Sequence, residues 1–537
     1  MANSQFQLTF SFIKWIVLFC ILFGILIYHT IWPITSGFVP LALISQLKGL
    51  ILYRILYFSI PLFFVIIISS FLISRNIFAK NQLNTYSERN SSMSCSINPN
   101  KLLKSAVHLY PDDFERDLYE RLKHPFKSSA PEYGVDLSLI HKELVSANKS
   151  RLNKSIFNII ITVISFIIFL QNIEDNWWIF ILTFSLLSLI EFLHLRSVKR
   201  KVRKILTTQD LHNTNNTSKN INIIISGGFS PFIGSGINLE NWSFTVDLSV
   251  PEDNEKVIEK ISLIELHEYI KERLCLINIE DISISNELLV RGENINSLSQ
   301  FFQNGKMTKP IDHIDNQYLI DKIGKNDKDE RHYKVIRIPM WNDQLLLSMY
   351  YRFLIVNKNL FCEAKFFILH PLKDKYLQIN NIPTQTTYNE TIDTLRKALG
   401  TATFSWLFDI LWLLAFVSGG FMSKRLQLKA WKKEVETNRL YNYGWNNSLR
   451  EKWSSISYKN YFQQADKDIS QKLLTNEFLS GLMAYLSEKN ISIEQFKHTS
   501  TKIINEGIMI SGGEIKTDSI AVGKGAKIAK TAMKKHN

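Results

Sequence analysis

Cysteine is scarce in this chain of 537 residues: there are four, Cys20, Cys95, Cys275 and Cys362, far apart and with no CxxC or paired spacing. That pattern excludes a disulfide framework and a zinc site and reads as reduced thiols facing cytoplasm or lipid. The 12 histidines include no HxxxH or HExxH, so no metal site is expected. His267 precedes Glu268 on an expected helix, and adjacent helical residues point apart, so they read as a surface pair. No GxSxG surrounds Ser230 or Ser235, which removes the nucleophile elbow. No catalytic residue is therefore assigned.

The nucleotide motifs are also incomplete. The stretch from Ser226 to Gly236 follows a strand-like run, as a nucleotide fold requires, but it meets neither GxGxxG nor GxxxxGK[ST]: Leu239 stands three after Gly236 and no lysine follows. At Gly523-Lys524 the position five earlier is Asp518, and Gly525 replaces the hydroxyl residue. No cofactor is expected. Gly227, Gly228, Gly234 and Gly236 stay on the page as candidates for an anion site through their backbone N–H groups, beside the plainer reading of tight turns between strands.

What is present is apolar runs set between polar stretches. Residues 12–32 and 50–74 each exceed the roughly 18 to 20 residues that span a hydrocarbon core as a helix, the second interrupted only by Arg54. The first has no basic cluster before it and no small-residue cleavage site after it, so an uncleaved helix is expected rather than a signal peptide. A second hairpin is expected at 155–170 and 177–195, with Trp177 and Trp178 in an interfacial belt.

Charge sets the orientation. Thirteen lysines and arginines lie between Arg75 and Lys154, none between 171 and 176, and Arg196, Lys199, Arg200, Lys201, Arg203 and Lys204 follow the fourth span. The positive-inside rule then places the N-terminus and the main domains in the cytoplasm and accounts for much of the formal charge of +14 without nucleic acid. The same six basic residues suit anionic lipid headgroups. Glu191 and His194, one turn apart, read as boundary polar residues that hydrogen-bond each other or headgroups. The stretch 404–417 is only 14 residues long and carries Asp409; an interfacial or re-entrant helix is favoured, with a fifth membrane helix as the rival. In either case Asp409 reads as a packing hydrogen-bond partner rather than a proton carrier.

The expected organisation is an N-terminal transmembrane hairpin (1–80), a cytoplasmic helical module (81–154), a second hairpin (155–195), a basic stretch and flexible linker (196–220), a cytoplasmic α+β domain (221–390), the interfacial or membrane helix (391–425), a helical region (426–490) and a glycine-rich β tail with a basic end (491–537). In the module Leu102, Leu103, Val107, Leu109, Phe114, Leu118 and Leu122 recur at helical spacing. Strands are expected at 221–225, 242–250, 333–338, 345–356 and 361–369, with a hairpin turning at 357–359, and helices at 261–274 and 461–488. Strands in succession with few helices between them imply an antiparallel sheet. The fold class is thus mixed: α-helical transmembrane hairpins, an α+β domain and a short β tail.

Several motifs together carry a resemblance: Ala130-Pro131-Glu132-Tyr133-Gly134-Val135-Asp136-Leu137, the loop from Gly227 to Gly236 with Trp242-Ser243-Phe244 after it, Tyr441-Asn442-Tyr443-Gly444, and in the tail Ile510-Ser511-Gly512-Gly513 and Ala521-Val522-Gly523-Lys524-Gly525-Ala526. Over about residues 100 to 528 the chain resembles a family of bacterial multipass membrane proteins to which no function is assigned. The resemblance implies a bacterial inner-membrane setting and supplies no catalytic residues. The expectation is a non-enzymatic membrane-anchored sensor, scaffold or effector that acts through protein contacts or self-association. Its rivals are an oligomeric pore, with Arg54, Glu191, His194 and Asp409 at a constriction, and an enzyme on lipid or nucleotide that uses the glycine-rich loop.

Overall fold

The computed structural model describes residues 97–171, 177–208, 221–417 (except 278, 280, 294, 296–298 and 303–307), 424–438 and 440–497 (except 495). The expected hairpin at 1–80 with Arg54, the turn at 172–176, Cys20 and Cys95, most of the linker 207–220 and the glycine-rich tail from 498 onward lie outside the described residues.

Two short helices open the described chain, α1 (Pro99–Leu109) and α2 (Asp112–Lys123). Asn98 caps α1, its side chain accepting from the Asn100 N–H at 2.8 Å, and Pro99 takes the first turn, where a missing N–H costs nothing. Their helical stripe is a core face: Leu102, Leu103, Val107, Phe114 and Leu118 are fully buried, while Leu109 is half-buried and Leu122 exposed.

The next helices are longer than hydropathy alone indicates. Asp136 accepts from the N–H groups of Ser138 and Leu139 and starts α3 (Leu137–Gln171), which runs 35 residues; α4 (Trp177–Thr207) runs 31. The expected boundaries at 154 and 195 therefore fall inside helices. Lysine, arginine and glutamate are good helix formers, so a helix need not stop where its apolar run stops. The basic stretch 196–204 is the last turns of α4.

The central sheet has six strands: β1 (Ile223–Ser226), β2 (Ile237–Asp247), β3 (Ser283–Arg291), β4 (Glu330–Met340), β5 (Leu345–Val356) and β6 (Asn359–Leu369), in the order β1-β3-β4-β5-β6-β2. Only β1 and β3 pair in parallel; the other four pairings are antiparallel, so the body is α+β. The β5–β6 hairpin pairs Val356 with Asn359, leaving Asn357 (φ 49°) and Lys358 (φ 65°) as a two-residue loop. Both residues are left-handed, the backbone that matches the twist of a tight hairpin. Asn359 is already in the strand. β3 was not legible in the sequence because its buried run Leu288-Leu289-Val290 does not alternate; it lies inside the sheet with both faces covered.

Helix α5 (Leu263–Cys275) follows β2, and after short helices α6 (Asn316–Asp321) and α7 (Asp374–Leu377) come α8 (Tyr388–Val417), α9 (Lys424–Thr437), α10 (Leu449–Trp453) and α11 (Tyr461–Glu488). α5 and α11 cover one sheet face, with Ile270, Leu274, Phe478 and Leu482 set against Met349, Tyr351, Phe353 and Phe366. Two expectations change there. Cys362 is buried in that core, and burial pushes its thiol well up. His267 is no surface residue: it is 2% exposed, its ring 5.4 Å from Tyr351 and 4.9 Å from Phe353, because it takes the sheet-facing side of α5 while Glu268 takes the outer side and bonds Lys334 and Lys271. Cys275 is exposed, as a free thiol.

Helices α3, α4 and α8 pack on one another as a three-helix bundle. The stretch 404–417 lies within one uninterrupted helix of 30 residues, so the reversal that a re-entrant segment needs does not occur in it. Among the described residues two helices, Leu137–Ile168 and Trp178–Thr207, are long and apolar enough, by length and composition, to cross a membrane.

Candidate functional site

The second face of the sheet carries the motifs that the sequence singled out. Gly227, the 130–134 segment and the 441–446 segment converge at the β1 end. The Gly227 N–H donates to the Trp445 carbonyl at 2.7 Å, the Asn442 side chain donates to the Gly227 carbonyl at 2.8 Å, and the Ser128 N–H donates to the Tyr443 carbonyl at 2.9 Å. Two backbones cross here without room for a side chain. A Cβ on Gly444 would stand 2.3 Å from the Ser226 carbonyl carbon, and one on Gly227 would stand 2.7 Å from the Gly444 oxygen. Trp445 closes the crossing, its indole N–H donating to the Ser128 carbonyl at 2.7 Å and the Arg121 guanidinium lying 4.0 Å over its ring.

The loop's anion cradle is built and filled from within the chain. The N–H groups of Gly234 (φ +88°) and Gly236 (φ +87°) both donate to the same Glu451 oxygen, at 2.9 and 2.8 Å. The other Glu451 oxygen accepts the Ser448 N–H at 2.7 Å, while the Ser448 hydroxyl accepts the Glu451 N–H, which makes a capping box at the start of α10. Burial pushes the Glu451 carboxyl up, against the pull of these backbone donors. Gly227 and Gly228 do not join that cradle; Gly228 faces Asn446. One turn of α10 thus supplies the carboxylate that the N–H groups of Gly234 and Gly236 hold.

Glu132 makes the matching contact from the other side. It accepts the N–H groups of Leu449 and Arg450 at 2.9 and 2.8 Å, and Arg121 lies 3.7 Å away. Burial raises its carboxyl to about 7, although Arg121 and the two backbone donors pull it down. Ser235 continues the network into the sheet: its hydroxyl is 2.6 Å from the Tyr350 hydroxyl, which accepts from Arg337 at 2.9 Å, and Arg337 pairs with Glu287 at 2.6 Å while lying 4.3 Å over the Tyr133 ring. Burial alone would lower the Arg337 guanidinium, but the Glu287 carboxylate outweighs it and holds it well above its ordinary value.

A cleft of about 270 Å³ opens beside this junction, lined by Phe232, Gly236, Ile368, His370, Asn446, Glu451 and Ser455 among others. Burial lowers His370 to about 4, so it is neutral at physiological pH. Ser230 and Ser454 line the cleft with Ser455, and the Ser454 hydroxyl donates to the Arg450 carbonyl at 2.7 Å. Among the described residues no three metal-ligating side chains cluster.

The bundle holds a second polar site. Asp409 on α8 accepts from the Ser155 hydroxyl at 2.8 Å and from the Asn158 amide at 2.6 Å, both on α3. Lys154 on α3 bridges Glu191 of α4 at 2.9 Å and Asp409 at 3.3 Å. Glu191 is thus engaged across the bundle, with Asn158 as a further donor at 3.4 Å, rather than along its own helix with His194. Ser155 and Asn158 are fully buried, and Glu191 and Asp409 nearly so. The outer faces are the reverse: Phe157, Ile164, Ile181, Leu189, Phe408 and Leu414 are all exposed. Lys154 escaped the sequence reading because the span was started at Ser155. The stripe Lys154, Asn158, Thr162 and Ser165 at helical spacing was the available signal, and the Thr183 hydroxyl of α4 does donate to Ser165 at 2.8 Å.

The basic stretch is partly spent inside the protein. Lys199 pairs with Glu390 at 3.2 Å and donates to Thr394 at 2.8 Å, and Arg203 pairs with Glu390 and donates to the Pro383 carbonyl at 2.8 Å, tying the end of α4 to the start of α8. Arg196, Arg200, Lys201 and Lys204 share the same turns of helix.

No curated protein and no solved structure matches this chain. The AbeC-like domain matches residues 241–516. The matched range starts inside β2 and takes in β3 to β6, the bundle helix α8 with Asp409, and α11, while the loop 227–236, β1, α3 and α4 precede it. By that match, over more than half of its length, the chain belongs to the AbeC-like domain family.

Proposed function

We propose that this protein is anchored in a bacterial inner membrane by the α3–α4–α8 bundle, carries its α+β body on the cytoplasmic side, and works without chemistry of its own, as a sensor, scaffold or effector through protein contacts. The observation that carries the reading is the inverted packing of the bundle. A water-soluble bundle turns apolar residues in and polar residues out; this one turns Lys154, Asn158, Glu191 and Asp409 in and large apolar side chains out. At about 1.5 Å per residue, the 30-residue α8 is about 45 Å long, comparable with a bilayer including its headgroups. The glycine loop supports a non-enzymatic role, since its two convergent N–H groups already hold Glu451.

The test is fractionation followed by purification in mild detergent, with mass spectrometry of bound proteins and light scattering. Retention in the membrane after an alkaline wash, with a stoichiometric protein partner, is the expected result. Release by the wash overturns the anchoring. A discrete homo-oligomer with no partner overturns the adaptor role and favours a pore.

A further inference from the structure

The sheet has two edge strands, β1 and β2, and the described chain covers only the first. The 441–446 segment crosses the end of β1, through the Ser226–Trp445 bridge and the Gly227 N–H on the Trp445 carbonyl at 2.7 Å. β2 ends the strand order at the other side and pairs with β6 alone. Among the described residues no backbone group from outside the sheet hydrogen-bonds to Ile237–Asp247. An edge of this kind presents a row of N–H and C=O groups to any strand that arrives, and proteins blunt it with proline, lysine or a bulge. The sequence of β2 contains no proline, lysine or arginine. Its register shift lies at its start, between Asn238 and Glu240, and the eight residues from Glu240 to Asp247 then pair with β6 without interruption. Asn241, Ser243 and Thr245 are exposed on one face of that run, while Phe244 and Val246 are buried on the other.

The chain itself returns to this strand before it leaves the described residues. The Ser492 N–H donates to the Val250 carbonyl at 2.9 Å, Ile491 bridges Pro251, and the Phe496 ring lies 4.6 Å from that of Phe244. Forty residues follow Lys497. Among them Ile503 to Ile510 hold four isoleucines and a methionine in eight residues and stop just before Gly512-Gly513, a strand pattern followed by a turn signal. The six steps from Lys497 to Ile503 reach up to about 20 Å. The run from Glu240 to Asp247 is about 26 Å long with Phe244 near its middle, so both of its ends are within that reach. Charge agrees with the pairing: residues 237–255 carry five acids and no lysine or arginine, while 498–537 carry seven lysines and three acids. The AbeC-like match begins inside β2 and ends at 516, so the strand and the segment fall within one domain.

We infer that residues 503–510 of the same chain add to the outer edge of β2 as a seventh strand. Main-chain hydrogen bonds supply the affinity, as in other strand additions, and the short run gains from the sheet the packing surface that it cannot build alone. A sheet closed in this way is shielded from edge-to-edge pairing with a second copy. The inference concerns the α+β body and is independent of whether the bundle meets lipid.

The experiment is amide hydrogen exchange read by mass spectrometry in mild detergent, on the full chain, on a chain ending at Lys497, and on the double variant Ile508→Pro with Met509→Pro. Two adjacent prolines remove at least one N–H that faces β2. In the parent, peptides covering 240–247 and 503–510 should both be protected, and equally so on dilution. Fast exchange of either peptide in the parent overturns the proposal, whether or not the variants fold. In both variants the outward half of the 240–247 amides should exchange about tenfold faster or more, while peptides of β4 and β5 keep their parent rates. Unchanged protection of 240–247 in the shortened chain assigns the edge to another part of the protein, and protection lost on dilution assigns it to a second copy; both results overturn the proposal. If the shortened chain does not fold, the proline variant carries the comparison.

Discussion

Replacing Gly236 by alanine separates two meanings of the glycine-rich loop. The residue holds φ +87°, and a Cβ there would stand 2.2 Å from the Ile368 carbonyl oxygen and 2.7 Å from the Leu369 Cα, both in the backbone of β6. The left-handed backbone costs an L-residue about 1–2 kcal/mol, and forcing backbone apart in a packed core adds about 1–3 kcal/mol. Gly236→Ala should therefore destabilise the folded body by about 2–5 kcal/mol. Gly228→Ala is the control, since its Cβ finds no atom nearer than 3.6 Å and its φ is not left-handed; it should stay within about 1 kcal/mol of the parent. Denaturant titration of tryptophan fluorescence in mild detergent reads both. If Gly236→Ala unfolds with the parent chain, the close crossing with β6 is not what the glycine serves. A loss of nucleotide or headgroup binding in that variant at unchanged stability would restore the anion-site reading.

Two further substitutions probe the buried charges of the body. Glu132 has its carboxyl raised by burial from 4.5 to about 7. A group raised in the folded state contributes stability that is full below its unfolded value and is lost as pH rises through the folded one, so stability should fall between about pH 4.5 and 7 by about 3 kcal/mol. Denaturant titrations at pH 5 and pH 8 should show a smaller difference in Glu132→Gln than in the parent, and an equal difference refutes the assignment. Arg337 is buried with Glu287 at 2.6 Å, so Glu287→Gln, which leaves the guanidinium without its counter-charge, should cost about 3–5 kcal/mol. The pair Glu287→Gln with Arg337→Met should recover most of that loss in a double-mutant cycle, and additive losses would refute the coupling.

What the sequence by itself determined is periodic. The apolar stripe of α1 and α2, the 28 residues of α11, the Asn357-Lys358 hairpin and the apolar lengths of α3 and α4 follow from spacing, turn chemistry and hydropathy, which act over a few residues and leave local marks. The β-strand at 283–291 left no such mark, because a strand covered on both faces does not alternate. His267 was misplaced for a related reason: adjacency tells which residues part company on a helix, but not which of the two meets the sheet.

Only the tertiary structure decided where charges find their partners. Glu451 stands more than 200 residues from the glycine N–H groups it satisfies, and Asp409 stands 254 from Ser155. Lys154 reads in sequence as the last cytoplasmic residue before a span, yet it bridges two carboxylates from two other helices. A carboxylate's meaning depends on what lies within about 4 Å of it, and chain spacing fixes that distance only along one helix or strand. The glycine loop shows the same limit: in sequence its glycines read as tight turns between strands, with an anion site as the other candidate, and only the fold shows that the N–H groups of Gly234 and Gly236 hold Glu451 of the protein itself.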